Sequence, residues 1–288
     1  MDVLARLKEL GFARTIVLDG PSCGVQEKTL ILALWTYEME AQPAKMEAWI
    51  HPYYRISHYA YQAARQFVAE GVEAGLPVAL RDDVRLKPIF ARLPGFSQGR
   101  NTLSYIDGVG SRFYVKTFSL DVDMEADVRL EEVKHELHCG SCRRCMEACP
   151  GGAITEDGFV VEKCIRHWML SGKTAPETVR NVMGNRLIGC DECQRCCPHN
   201  HEPKAEAGET VPLLRLLEEP KAMSEELKDV IGVNMTLPNR LLAQGCLIAG
   251  NSGRDDLLPA LEKLCTHPSE AVREHAAWAM ENIRKNHD

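Results

Sequence analysis

"HCGSCRRCMEACPGGAIT", residues 138–155, decides how the 288-residue chain is read. Its four cysteines run Cys139-x2-Cys142-x2-Cys145-x3-Cys149, and Pro150 follows the last. Two-residue gaps let a looping backbone wrap three corners of one iron–sulfur cube, with amide N–H groups turned toward the sulfides. The next cysteine is carried too far round to reach the last corner, so it serves a second cube. A structural zinc site uses four ligands, commonly two separated CxxC pairs, and does not call for a proline-ended run of four. The spacing therefore points to iron–sulfur chemistry.

A second array, "GCDECQRCCPHN" at residues 189–200, supplies Cys190, Cys193, Cys196 and Cys197, the last before Pro198. Between the arrays lies Cys164, in "VEKCIRHW". Two cubes take eight thiolates and this region offers nine. Cys197, before its proline, is expected to cross back and complete the first cube with Cys139, Cys142 and Cys145. The second cube then takes Cys149, Cys190, Cys193 and either Cys164 or Cys196. Spacing leaves that choice open.

Nine of the chain's 12 cysteines lie in this one region, which in a reducing compartment means metal or catalysis rather than disulfides. No run of 18 apolar residues exists, and "MDVLARLKEL" lacks the basic-then-apolar order of an export signal. A cytoplasmic protein without a membrane partner is expected. A net charge of −7 argues against a surface that coats nucleic acid generally.

The predicted fold class is α+β and multidomain. An N-terminal α/β domain covers 1–130, a ferredoxin-like double-cluster domain 131–205, and a short helical HEAT-like repeat 206–288. "ARTIVLDG" reads as a strand and turn, "PVALR" and "RFYVKTFSLDV" as strands, and "KTLILALWTYEME" as strand or helix. "ISHYAYQAARQFVAEGVEAG" has the spacing of an amphipathic helix ending at Gly71 or Gly75. Residues 131–202 show little apolar periodicity, so their ligands must organise them. "DDLLPALEKLCTH" and "VREHAAWAMENIRK" form a helical pair, with Leu257, Leu258, Leu261 and Leu264 facing Val272, Ala276, Ala279 and Ile283.

The run "HCGSCRRCMEACPGGAIT…KCIRHW…NRLIGCDECQRCCPHN" resembles the double-cluster domain of epoxyqueuosine reductases, including the lead-in from Gly184 to Gln194. The likeness covers roughly residues 95–288 and is faint before that. It implies that Cys164 completes the second cube and that Cys196 occupies an apolar slot, where a free thiol behaves as a small hydrophobe. It further implies a cobalamin fed by the two 4Fe-4S clusters, a low-potential donor such as ferredoxin or flavodoxin, and a tRNA base epoxide as substrate in queuosine biosynthesis. The alternative is a double-cluster electron-transfer protein that serves a corrinoid protein or another enzyme and has no substrate site of its own.

The candidate cobalamin residues are His51 and Tyr54 in "IHPYYRISHY", His58 and Tyr59 beyond them, and Arg100 and Asn101 in "GRNT", where the family has G-K-N-T. Two departures stand out. The family signature Y-A-x-G-x-D-Y-H keeps only Tyr59 and Ala60, and Leu80 stands where the family places its proton-donating aspartate. Asp82 and Asp83 are the neighbouring candidates for that acid.

Overall fold

The computed structural model describes residues 1–41, 47–132, 139–201 and 208–285, apart from the side chain of Leu170. The chain packs as two units. The first contains Met1–Glu38, Ile56–Arg143 and Cys197–His201; the second contains Met39–Arg55, Arg144–Cys196 and the chain after His201.

The first unit is built on a four-stranded antiparallel sheet in the order Arg14–Asp19, Thr29–Thr36, Phe113–Leu120, Val78–Leu80. One face, carrying Val17, Ile31, Ala33 and Phe118, packs on Phe12 and on Ala60, Ala64 and Phe67 of the helix Pro52–Glu73. The other face, carrying Ile16, Leu18, Leu30 and Leu32, packs on Ile89, Phe90, Leu93 and Ile106. Both faces of this central strand are buried over most of its length, so Leu30–Trp35 is a continuous apolar run instead of alternating. That is why its type was ambiguous in sequence; it is a strand. Of the two glycines proposed to end the long helix, Gly75 does so, with φ +74° and its N–H on the Val72 carbonyl. Gly71 stays inside the helix, where an added Cβ would meet Val78.

The second unit has a three-stranded sheet in the order Arg186–Ile188, Ala48–Ile50, Thr210–Val211. Trp49 pairs with Arg186 in parallel and with Thr210 in antiparallel fashion, so residues 39–55 join this unit although the sequence groups them with the first 130. Conversely, Cys139, Cys142 and Cys197–His201 pack with the first unit. The expected boundary at 205/206 lies outside the described residues.

Helices Pro238–Ser252, Leu258–Leu264 and Glu270–Lys285 form the C-terminal stack, the first starting at a proline and stopping at Gly253 with φ +67°. Val272, Ala276, Ala279 and Ile283 are fully buried, as their spacing requires. Burying Val272 and Ile283 contributes about 2 kcal/mol each.

His275 lies inside this stack. Its Nδ1 meets the Ala243 carbonyl at 3.0 Å and its Nε2 accepts the Ala175 N–H at 3.0 Å, which fixes the neutral Nδ1–H tautomer. Burial, chiefly, lowers its pKa to about 4. Because the folded pKa is depressed, this stabilisation is complete above the unfolded value near 6.5 and fades as pH falls toward 4. The loss amounts to about 3 kcal/mol at the acid end. His275→Gln keeps one donor and one acceptor without titrating. Its urea midpoint should therefore change less than the wild type's between pH 7 and pH 5, and parallel pH curves would refute the assignment.

Candidate iron–sulfur and electron-transfer site

Within the first unit, the loop "GRNTL" is wound tightly enough to present backbone amides. Gly99 N donates to Leu103 O at 2.8 Å, Thr102 N donates to Gly99 O at 2.9 Å, and Thr102 sits at φ +64°. Thr102 is the one non-glycine residue at positive φ among those described, a local strain the surrounding contacts must hold in place. The loop turns the Arg100 N–H onto Cys139 Sγ at 3.2 Å, and Arg100 Nη2 donates to the Gly140 carbonyl at 3.2 Å.

The paired strands Phe96–Gln98 and Ser104–Ile106 flank that loop, and the second leads on to Gly110 and Ser111. Ser111 N donates to Asn200 Oδ1 at 2.8 Å, and Asn200 Nδ2 donates to Ser111 Oγ at 3.1 Å. The Arg112 guanidinium donates to the His201 carbonyl. Cys197 therefore enters the first unit just ahead of a segment gripped by this hairpin. Tyr105 is buried beneath it, with its hydroxyl accepting from Asn101 Nδ2 at 2.9 Å and in contact with Cys197. Burial first, and that sulfur contact second, hold the phenol well above its ordinary pKa, so it stays protonated.

Within the second unit, burial pushes the Cys190 thiol up to about 12 and the Cys193 thiol well above its ordinary value. At Cys193 the neighbouring sulfurs add to that in the order Cys190, Cys149, Cys196, Cys145. Sulfurs gathered in this way suit a cationic iron core, which replaces the thiol protons. Ala153 N donates to Cys149 Sγ at 3.2 Å, the backbone-to-sulfur contact that cube-binding loops make. Among the described residues no three His, Cys, Asp or Glu converge on a single-ion site. The donor set fits iron–sulfur cubes, with sulfur ligands and backbone N–H groups aimed at two of them.

Cys164 caps the helix Ile165–Ser171 and lies within electrostatic range of the buried Tyr54. Tyr54 also packs against Gly189, beside Cys190, so one aromatic ring borders both positions. Asp191, fully buried, is ion-paired with Arg195 at 2.7 Å and lies 3.7 Å from His51 Nε2. Burial, chiefly, raises its pKa. Arg195 in turn lies over the Trp49 ring and donates to Glu40 O at 2.7 Å.

The six residues proposed for cobalamin fare differently. His51 is buried, its Nδ1 accepting the Tyr53 N–H at 3.0 Å, and Tyr54 belongs to the apolar core. Arg100 and Asn101 build the loop that serves Cys139 and Tyr105. These four do not fit a cobalamin rim. His58 and Tyr59 lie on the long helix with rings 6.2 Å apart, and Tyr59 is 44% exposed. Asp82 pairs with the buried Lys116 at 2.7 Å, whose ammonium also lies 5.1 Å from the Tyr61 ring. Asp83 is gripped by Arg81 Nε and Nη2, which holds its carboxyl at about 2. Sequence reasoning missed Tyr105, Ser111, Asn200 and Lys116; their only signal was a polar residue in an otherwise apolar strand or turn.

Residues 138–200 match the model of a 4Fe-4S double cluster binding domain, and 254–285 match an Armadillo/beta-catenin-like repeat. The chain is 31% identical over 237 residues to the epoxyqueuosine reductase of Xanthomonas campestris pv. campestris, covering 75% of this chain and 64% of that one. It is 33% identical over 195 residues to that of Escherichia coli, covering 63% and 50%. The chain thus spans about half to two thirds of the length of these relatives. Its fold matches an epoxyqueuosine reductase solved with a tRNA-Tyr epoxyqueuosine-modified stem loop, at TM-score 0.77 and 20% identity, over 98% of this chain and 89% of that one. Fold and site together define an iron–sulfur protein with a double 4Fe-4S cluster domain and a helical-repeat tail. Within that class the chain is similar to the epoxyqueuosine reductases.

Proposed function

We propose that the chain is an oxidoreductase that accepts single electrons on two 4Fe-4S clusters and uses them to reduce a modified base in tRNA, a reading supported by relatives named epoxyqueuosine reductase and by a fold neighbour solved with an epoxyqueuosine-modified tRNA stem loop. The observation that carries this reading is the thiol cluster around Cys193, together with Cys197 fixed by the Ser111–Asn200 clasp. Cys139, Cys142, Cys145 and Cys197 hold the first cube; Cys149, Cys164, Cys190 and Cys193 hold the second. The terminal cofactor proposed is cobalamin, which when bound supplies a strongly nucleophilic reduced cobalt. His58 and Tyr59 are the residues of this chain that would meet it.

Of the two acid candidates, Asp82 suits a proton transfer better. Its side chain is 61% exposed and meets the single ammonium of Lys116, whereas two nitrogens of one guanidinium grip Asp83. Asp83 is kept ionised by Arg81 and is a poor donor near neutral pH. A ferredoxin or flavodoxin fits as the electron source, and a reducing cytoplasm as the location. Among the described residues no helix is long and apolar enough to cross a membrane.

The second reading, an electron carrier for a corrinoid or other partner enzyme, draws support from the internal engagement of His51, Tyr54, Arg100 and Asn101. One experiment separates the two. After anaerobic reconstitution with iron and sulfide, the protein is mixed with cobalamin and passed over a sizing column. Co-elution with a shifted corrin band, lost in His58→Ala/Tyr59→Ala, is expected. Free cobalamin beside two reducible cubes would leave the carrier. Binding of a tRNA anticodon stem loop should weaken steeply with salt as phosphate contacts are screened.

A further inference from the structure

Residues 151–163 run between two of the ligands proposed for the second cube, Cys149 and Cys164, and include a short hairpin that pairs Ile154 with Phe159 and Thr155 with Gly158. Backbone bonds tie this stretch to both cysteines. Val160 N donates to Ala153 O at 2.8 Å, and Ala153 N donates to Cys149 Sγ at 3.2 Å. Further along, Cys164 N donates to Val161 O at 3.0 Å. The two ends of the stretch meet so closely that a Cβ on Gly151 would collide with Lys163 O, and Trp168 Nε1 donates to Glu162 O at 2.7 Å. This tightly bonded piece nevertheless leaves Phe159 38% and Val161 42% exposed. Val160 between them is extended, at φ −100° and ψ 103°, so the two apolar side chains project to the same side.

We propose that the surface formed by Phe159 and Val161 is where a one-electron carrier protein docks and passes electrons to the second cube. The inference rests on the iron–sulfur reading given under Proposed function. It holds whether Cys164 or Cys196 is the fourth ligand, because Cys149 serves that cube in both cases. Single exposed apolar residues are ordinary on a protein surface. These two differ in what lies behind them: Val161 is one hydrogen bond from Cys164, and the residue after Phe159 is two hydrogen bonds from the Cys149 sulfur. Two side chains offer too little apolar surface for a lasting complex and suit the small, transient interfaces of electron-transfer pairs. Charge decides against the other macromolecule in the scheme. Over residues 156–166 the exposed Glu156, Asp157 and Glu162 outnumber the exposed Lys163 and Arg166, a balance that does not attract a phosphate backbone. In the step assigned to this surface, one electron leaves the reduced carrier and enters the oxidised cube; no bond is made or broken and no proton moves.

The test uses the reconstituted full chain under anaerobic conditions, with photoreduced flavodoxin as the probe carrier and dithionite as a small reductant that needs no docking surface. Phe159→Ser/Val161→Ser is expected to keep the wild-type iron content and the wild-type rate of bleaching by dithionite. Its rate of reduction by flavodoxin and its affinity for oxidised flavodoxin should both fall by roughly tenfold. Val233→Ser, which alters a side chain 63% exposed elsewhere in the same unit, should change neither. An undiminished flavodoxin rate and affinity in the double variant would overturn the proposal, as would an equal loss in Val233→Ser. Loss of iron, or an equal slowing with dithionite, would overturn it too, by making the pair a structural support of the cube. Weaker binding of a tRNA anticodon stem loop by the double variant would overturn it in favour of RNA at this surface. Wild-type cubes that dithionite reduces, and that neither flavodoxin nor a ferredoxin reduces, would remove the docking site and leave the iron–sulfur reading standing. A wild-type protein unable to hold two cubes removes both.

Discussion

Cys164→Ala is expected to lose about four of about eight irons after anaerobic reconstitution, whereas Cys196→Ala keeps them all. Both thiols are near the second cube's position. Cys196 acts on Cys193 directly, and Cys164 borders the Tyr54 ring that also packs beside Cys190. Their backbones differ. Cys196 closes the short helix Glu192–Arg195, its N–H on the Glu192 carbonyl at 3.2 Å, only three residues beyond Cys193. Cys164 comes from a separate stretch, ahead of the helix Ile165–Ser171. A cube needs ligands on all its corners, and four sulfurs from two neighbouring turns surround it poorly. The surviving cube in Cys164→Ala should give the spectrum of the cluster held by Cys139, Cys142, Cys145 and Cys197. An iron count halved in Cys196→Ala and intact in Cys164→Ala would reverse the assignment.

The parts of the molecule legible in sequence were those with a short-range rule. Cysteine spacing pointed to two iron–sulfur cubes, as the match of residues 138–200 to a double-cluster domain supports, and a 3.6-residue period placed Val272, Ala276, Ala279 and Ile283 on one buried face. Where the rule fails, the cause is tertiary. Thr29–Thr36 is buried on both sides over most of its length and carries no alternation to read. Ala48–Ile50 is three residues long, and its membership of the second unit follows from partners at Arg186 and Thr210, about 140 and 160 residues away. Arg100 and Asn101 were placed on a cobalamin because a motif resembled one. Their bonds to Cys139, Gly140 and Tyr105 depend on how the hairpin returns to the cysteine loop, which no local pattern encodes. Asp82 and Asp83 are adjacent in sequence yet differ in partner, one meeting a buried lysine and the other a bidentate arginine.

Gly189→Ala should cost the second cube and most of the second unit's stability, although it adds one methyl group. Gly189 has φ +95°, where an L-residue is strained by about 1–2 kcal/mol. An alanine Cβ there would lie 2.4 Å from His51 Cβ and 2.9 Å from Tyr54 Cε2. Both neighbours are fixed: His51 N donates to the Ile188 carbonyl at 2.9 Å, and Tyr54 is 4% exposed in the apolar core. Neither can swing aside as a surface side chain would, so the 188–190 backbone must move. Overpacking of this kind costs about 1–3 kcal/mol more. The displaced residue is Cys190, next in the chain, and the Gly189 N–H leaves the Met169 sulfur it meets at 3.3 Å. The expected result is an iron content reduced by about half and a lower urea midpoint. Gly110→Ala serves as the counterpart in the first unit. Its Cβ would lie 2.2 Å from Asn200 Oδ1, at φ +79°, prising apart the clasp behind Cys197. That variant should lose the other cube, so the two alanine proteins are expected to retain clusters with different spectra. Full iron content in Gly189→Ala would show that the strand Arg186–Ile188 does not fix the position of Cys190.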